Sequence, residues 1–491
     1  MKLWEKRKNF SHLQLLVGFS LFYVFCLYDN FSGVLYPVFL AGMLSMYQLL
    51  MKQAGRTIKK DSKLYMLAIL LLGVSTFLTG NLIIIWCNKL VVWLLFGILI
   101  LHDGYEDQNW TVFRYVGGLM DLAMTTLAHL FAVFPELAKS RRVWKEQAGA
   151  GEKKQNGKLI YVILGILVGV TLLFLILPLL ISADAVFDQM LGGAFDWVVR
   201  ALSRIILPTK LILMTLMFLW GLMFFFGIYS AVKNRKPQAE EKELRTQEPV
   251  LAITALVVIG IVYLLFCMVQ ISYLFTGGFN LPEEYSYAGF ARQGFFQLLF
   301  VSALNLLLVL VTLSFFRENK ALKIMLTFLS ACTYIMLISS ASRMFLYIQA
   351  YQLTRLRVLV LFALLVLAVL FAGVIRSIYP EHFPLFRYSV AVVTVLYIVL
   401  SFSHMDAWIA SYNISHDQTS YLYELSTDAS GPMLKAAKEG TAEVEMTRGY
   451  FSMNKYQAET HSGMRKFNVS EFLFRLRCKE YFRGDTGMPL E

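Results

Sequence analysis

Residues 356–375 read LRVLVLFALLVLAVLFAGVI, with no polar side chain after Arg357. At about 1.5 Å of rise per residue, such a run makes a helix of roughly 30 Å, the thickness of the hydrocarbon core of a bilayer. A helix in a soluble protein keeps a polar face, and a strand is seldom this long. The solvent of this segment is therefore lipid or other apolar helices.

Comparable runs stand on both sides of it, at 10–28, 31–51, 64–80, 82–101, 159–181, 205–232, 250–275, 295–316, 324–348 and 388–405. Together they make eleven. The chain has 491 residues, 57% hydrophobic and 16% charged, with a mean hydropathy of +0.59. A globular chain is normally about one quarter charged. A soluble enzyme is excluded, and the expected fold is all-α: a polytopic transmembrane helical bundle of about eleven spans with a small C-terminal extramembrane tail. The expected organisation is a four-span bundle over 1–101, an amphipathic segment and basic loop over 102–158, a seven-span membrane domain over 159–405 and a tail over 406–491.

Net charge is +12, which raises the question of nucleic acid. The tail holds ten Lys and Arg against twelve Asp and Glu, so the excess lies in the membrane part. It collects in the connections 52–63, 139–158, 233–248 and 317–323, all of which fall on one side if 115–134 does not cross. That is the signature of loops kept inside, and it removes nucleic acid as a partner. Segment 115–134 carries Gly118, Asp121, Thr125 and His129 in a stripe after Arg114 and ends at Pro135, the pattern of an interfacial helix. The first run follows Lys2, Lys6, Arg7 and Lys8 with no small-x-small cleavage site, and reads as a retained span. The N-terminus is then expected inside and the tail outside. Cys26, Cys87, Cys267 and Cys332 lie in apolar runs and Cys478 stands alone, so no disulfide framework is implied.

Several motifs in the C-terminal half are specific. The run Tyr287-Ala-Gly-Phe-Ala-Arg292-Gln-Gly294-Phe295 is followed by Asn305 and by Ser340-Ala-Ser-Arg343-Met-Phe-Leu-Tyr347-Ile-Gln-Ala-Tyr351-Gln-Leu-Thr354-Arg355-Leu-Arg357. Ser182-Ala-Asp184, Asp406-Ala-Trp-Ile409 and Tyr421-Leu-Tyr-Glu-Leu-Ser426-Thr-Asp428 complete the set. Over about 159–434 the chain resembles a bacterial multispan family, domain of unknown function 4173, which has a close relative numbered 4153. That family tends to have Gly where this chain has Gln352, and Asn-Pro where it has His404-Met405. The resemblance implies a multi-pass protein of the bacterial cytoplasmic membrane and brings no established activity.

Arg343 is the most informative residue, because a guanidinium in or near lipid must pair, snorkel or face a cavity. Helical spacing puts Tyr347 and Tyr351 on its face. An anion-handling cluster can be drawn from Arg343 and Arg292 with Tyr287, Asn305 and the outer-loop acids Glu283 and Glu284. The competing reading is an interface anchor paired with one of those glutamates. Asp184 and Asp188, one turn apart, and Asp406 are secondary candidates for acid–base work, or simply the wet faces of interfacial helices. Asn88 and Lys89 interrupt the fourth run, where they snorkel or form a hairpin turn. The 356–375 run itself reads as lipid-facing scaffold. No metal site is spelled by the His and Cys spacings, and no phosphate loop, nucleophile elbow or dinucleotide fingerprint occurs, so no cofactor is implied.

Three functions are compatible with these residues. One is an envelope sensing, assembly or scaffold role; another is a transporter or permease with an outward polar cavity around Arg292 and Arg343. The third is a membrane-embedded enzyme acting on a lipid-linked anion. The partners expected are the bilayer itself and an anionic lipid or envelope precursor. No acidic residue sits centrally in the seven C-terminal spans, where a proton-driven carrier usually needs one, which lowers the transport reading; the scaffold leads because it asks least of the residues.

Overall fold

The computed structural model describes residues 2–53, 55–107, 110–136, 169, 209–233, 245–276, 294–379, 383–417, 420–460 and 463–484. Among them the regular structure is helical: α1 (Lys2–Leu27), α2 (Leu35–Gln53), α3 (Ser62–Leu78), α4 (Leu82–Gly104) and α5 (Val112–Ala128). Then follow α6 (Thr209–Lys233), α7 (Pro249–Thr276), α8 (Phe295–Phe315), α9 (Lys320–Tyr351), α10 (Arg355–Ile378) and α11 (Leu385–Phe402). Four shorter helices follow among the described residues: α12 (Met405–Ser415), α13 (Ser430–Glu439), α14 (Val444–Thr460) and α15 (Val469–Gly484).

The boundaries have local causes. Asn81 caps α4 by accepting from the amides of Ile83 and Ile84, and Asn319 caps α9 through the amide of Ala321. Gly440, with φ +66, ends α13 in the left-handed conformation that L side chains resist.

Seven described helices, α4 and α6 to α11, are long and apolar enough to cross a membrane, or eight if α5 and the bent turn after it count as one. Eleven crossings were expected. The shortfall has identifiable sources: α3 is 17 residues, α1 is apolar only from His12, and α2 carries Gln48, Lys52 and Gln53. The expected run 159–181 lies outside the described residues. Exposed side chains agree with a lipid surround. Val258, Ile261 and Leu265 on α7 are each at least 60% exposed, an apolar stripe that water would penalise.

Two compact units result, one of Met1–Tyr28, Ser45–Arg56 and Asp121–Arg235, the other of Asp29–Leu44, Thr57–Met120 and Lys236–Glu491. In the first, α1 packs on α6, with the Phe19 and Phe225 rings 4.8 Å apart. In the second, α10 is not purely lipid-facing scaffold: Val360, Leu364, Phe371 and Val374 bury one stripe in a core shared with α7, α8 and α9. Leu365 on the same helix stays exposed. The expected tail is a helical domain with its own core, in which Tyr450, Phe451 and Phe474 are fully buried.

That domain defines one end of the second unit. Asn413 of α12 bonds both the amide and the carbonyl of Leu353, just past α9, at 2.8 and 2.9 Å. Asn468 donates to the carbonyls of Ser32, Thr76 and Thr79. The loops 29–34, 79–81 and 352–354 therefore share this end. The starts of α3 and α9, with Lys59, Lys60, Arg317 and Lys320, lie at the other. There the Phe113 and Phe315 rings meet at 5.4 Å, and Arg317 donates its amide to Gln247.

Two glycines allow the domain to seat so closely. A methyl on Gly33 would stand 2.6 Å from the Arg465 carbonyl oxygen, and one on Gly80 would overlap the Thr427 hydroxyl. Gly80→Ala is expected to lower stability by about 1–3 kcal/mol, the usual cost of forcing a methyl into a filled space. A thermal-shift measurement on the full chain checks it, and an unchanged melting temperature would contradict the contact.

Candidate functional site

Charged and amide side chains in the second unit gather in discrete knots. At the end opposite the C-terminal domain, Asp107 is 1% exposed and receives Lys59 Nζ at 3.1 Å, Arg387 Nη2 at 2.7 Å and the Tyr115 hydroxyl. His102 Nδ1 lies 2.6 Å from it. Burial by itself would raise the carboxyl, but the bonds from His102, Tyr115 and Lys59 outweigh it and hold Asp107 well below the usual carboxylate range. The knot ties the starts of α3, α5 and α11 to the end of α4.

Within the helices, Asn88 is not at a hairpin turn. It is fully buried, donating to Thr76 at 3.1 Å and accepting from Tyr397 and Ser401 at 2.8 Å. Lys89 does turn outward, its ammonium 3.2 Å from the centre of the Phe31 ring. Between Asn88 and His102, α4 shows its neighbours Val92, Leu95 and Leu99, each no more than 2% exposed.

Of the expected cluster, Arg292, Tyr287, Glu283 and Glu284 lie outside the described residues, as do Asp184 and Asp188. The rest divide. Arg343 Nη2 donates to Gln270 Oε1 of α7 at 3.2 Å, and Ser339 donates to the same oxygen. Gly294, at φ +104, leaves room for the guanidinium, since a methyl there would meet Nη1 at 2.7 Å. Asn305 sits elsewhere, accepting from Tyr263 at 2.8 Å and donating to Thr333 at 2.9 Å. Thr333 precedes Arg343 by ten positions on α9, about 15 Å of helix. Tyr347 stacks with Arg357, 4.1 Å from ring centre to guanidinium, and Tyr351 packs on Tyr347 with 48% exposure.

Asp406 is the expected residue with the most complete setting. It is fully buried and takes Arg355 Nε at 2.8 Å and Nη2 at 2.7 Å, a bidentate pair, along with the amide of Ser426 at 2.9 Å. Arg355 reaches on to the Glu424 carbonyl at 2.9 Å. Beside it, Asp428 accepts from the Gly80 amide at 2.8 Å and from Thr79, with His404 Nδ1 at 3.7 Å. Burial pushes the Asp428 carboxyl up, and the bonds from His404, Ser470, Thr79 and Gly80 more than reverse that, leaving it lowered. The same bond raises His404.

These two carboxylates, with Asn468, form a seam that fastens the C-terminal domain to the helices. Sequence alone named Asp406 but not its partner, although Arg355 stands in the quoted motif. Asp107 and Arg387 went unmarked, since charges at helix ends look like ordinary loop residues.

The two departures from the resembled family fall on this seam. Gln352 has φ +93, ψ 164, a conformation suited to glycine, and His404 is left-handed at φ +49. Both departures therefore stand at positive φ, where a side chain is strained. Gln352→Gly is expected to raise stability by about 1–2 kcal/mol through release of backbone strain. Denaturation of the two proteins side by side measures it, and a destabilised variant would show that the Ser420 bond to the Gln352 amide oxygen at 3.3 Å matters more.

In the first unit, His12, His129, Glu136, Tyr229 and Lys233 line a cavity of about 330 Å³. Among the described residues no group of three His, Cys, Asp or Glu is placed to hold a metal.

No curated protein and no solved structure matches the chain. A sequence model of the family described as Domain of unknown function (DUF4153) matches residues 66–436, from within α3 to within α13. The match begins well before the resemblance read from the motifs, and of the two related families it is 4153 rather than 4173 that is shown. The chain belongs to the DUF4153 family.

Proposed function

We propose that this is a multi-pass protein of the bacterial cytoplasmic membrane that acts as a rigid platform, displaying its C-terminal helical domain outside the cell for sensing or assembly in the envelope. The observation that carries this is the seam. The buried Asp406–Arg355 pair, the Asp428 bonds, the Asn413 bonds and the Asn468 clamp fix the domain to three separate loops at one end. A tethered tail would need none of them.

Helix parity is compatible with the eleven-span topology. Gly104 and Arg245 lie at the same end of the second unit, so the chain between them crosses an even number of times. The eleven-span reading takes the sequence runs 159–181 and 205–232 as two such crossings and α5 as an interfacial helix. The basic connections 52–63 and 317–323 then share the inner side with the N-terminus. The apolar layer of Val92, Leu95 and Leu99, which separates the polar knots along α4, favours a platform over a permease.

The test has two arms. With the exposed Cys87 replaced by Ser, Met464→Cys is expected to react with a membrane-impermeant maleimide in intact cells, and Arg56→Cys only after permeabilisation. The reverse pattern would invert the topology. A photo-cross-linking residue at Tyr456, 78% exposed on α14, is expected to give a discrete adduct with an envelope protein. Its absence under conditions where the protein is expressed and labelled would remove the assembly role.

A further inference from the structure

Helix α15 buries one side in the C-terminal domain, through Phe474, Cys478 and Tyr481, and leaves the other uncovered. The uncovered side carries Phe472, Leu473 and Leu476, at 40, 37 and 51% exposure, followed by the exposed Lys479 and Arg483. Glu480, the acid on this side, is engaged by Lys438. A soluble domain does not usually expose three large apolar side chains on one helix and follow them with bases. An interfacial helix does.

Where the helix begins adds an independent reason. The Phe467 ring packs on Phe472 at 5.5 Å, while the Phe467 carbonyl accepts from the Val34 amide and Lys466 pairs with Asp29 at 2.6 Å. The same loop holds Phe31, which meets Trp86 edge-on at 4.9 Å beneath the Lys89 ammonium. Trp86 is 61% exposed on α4, a candidate span, near its end. An aromatic ring pair and a lysine at the end of an apolar helix mark the water–lipid boundary. The apolar side of α15 starts from that level.

We propose that α15 is an interfacial helix that rests on the bilayer, its Phe472, Leu473 and Leu476 entering the acyl boundary and its Lys479 and Arg483 holding the phosphates of anionic lipids. This goes beyond the platform reading: it requires that the chain sit in a membrane, not that the domain have a protein partner. The domain is then held by lipid as well as by the seam.

The full chain in nanodiscs tests it. A fluorophore on Leu476→Cys, with Cys87 replaced by Ser, is expected to be quenched by lipids brominated near the headgroup at least about threefold more than one on Tyr456→Cys. Quenching at Leu476 by aqueous iodide but not by brominated lipid would overturn the proposal. Quenching by neither would also overturn it, showing the side covered by a second copy or another protein. Lys479→Gln with Arg483→Gln is expected to cut the enrichment of phosphatidylglycerol over phosphatidylcholine around the protein by roughly fivefold per charge removed. Leu476 should remain quenched in neutral lipid. Unchanged enrichment would refute the phosphate contacts. Failure of the platform reading would show as a missing adduct at Tyr456 with this quenching intact.

Discussion

Asp406→Ala should release the C-terminal domain while the membrane helices stay folded. The substitution strips Arg355 of both carboxylate bonds and leaves a guanidinium that is 19% exposed facing a vacated, fully desolvated position. Removing one partner of a buried ion pair typically costs about 3–5 kcal/mol, because the remaining charge is uncompensated. The amide of Ser426 loses its acceptor as well. If opening is local, cleavage within 405–484 should accelerate on the order of 100- to 1000-fold, with the α7–α10 core untouched. Limited proteolysis of the full chain in micelles, followed by intact mass, reads this directly. Replacing both partners by apolar residues, Arg355→Met with Asp406→Leu, should recover most of the loss, since no buried charge is then left alone. Equal cleavage rates in wild type and Asp406→Ala would mean that the pair does not fasten the domain.

The second large effect is a dependence on pH. Glu471, at the start of α15, is 3% exposed, and burial pushes its carboxyl up to about 7. In the unfolded chain it titrates near 4.5. Between those values the folded domain keeps a proton that the unfolded chain has lost, so stability falls as pH rises through the window and levels off above about 7. The difference is on the order of 3 kcal/mol. His404 acts in the same direction: its raised value means that the stability from its bond to Asp428 is fully present below 6.5 and is lost as pH climbs through the higher folded value. Asp428 sets the opposite limb, since its lowered value makes its contribution present above 3.8 and lost as pH falls through the lower folded value. The seam should hold best under mildly acidic conditions. Glu471→Gln should flatten the slope between about pH 5 and pH 7, and His404→Gln should remove what remains above it. A proteolysis profile that is flat across this range in the wild type would refute the assignment.

The helices were legible because hydropathy is a local property. Run 356–375 became α10 within three residues at either end, and nine other expected spans coincide with described helices. The pairing of polar groups was not legible, and for a physical reason. Arg355 and Asp406 are 51 positions apart, and Arg387 and Asp107 are 280 apart. Periodicity says which face a residue occupies and nothing about which distant element meets that face. Arg343 and Asn305 show the cost: both are polar residues in neighbouring spans, yet Asn305 of α8 meets α9 at Thr333, ten positions before Arg343. Gln352 and His404 show the reverse case. They stand out in the sequence as departures from a family motif, and only the backbone shows that both sit at positive φ.

Order of synthesis gives the Asn468 clamp a temporal meaning. Its acceptors, the carbonyls of Ser32, Thr76 and Thr79, precede it by 436, 392 and 389 positions. At about 5–20 residues per second they emerge on the order of 20–90 s before the amide that will cap them. The turns that follow α1 and α3 thus stay unlatched until residue 468 has been made, and a polypeptide that stops short of it would never close them.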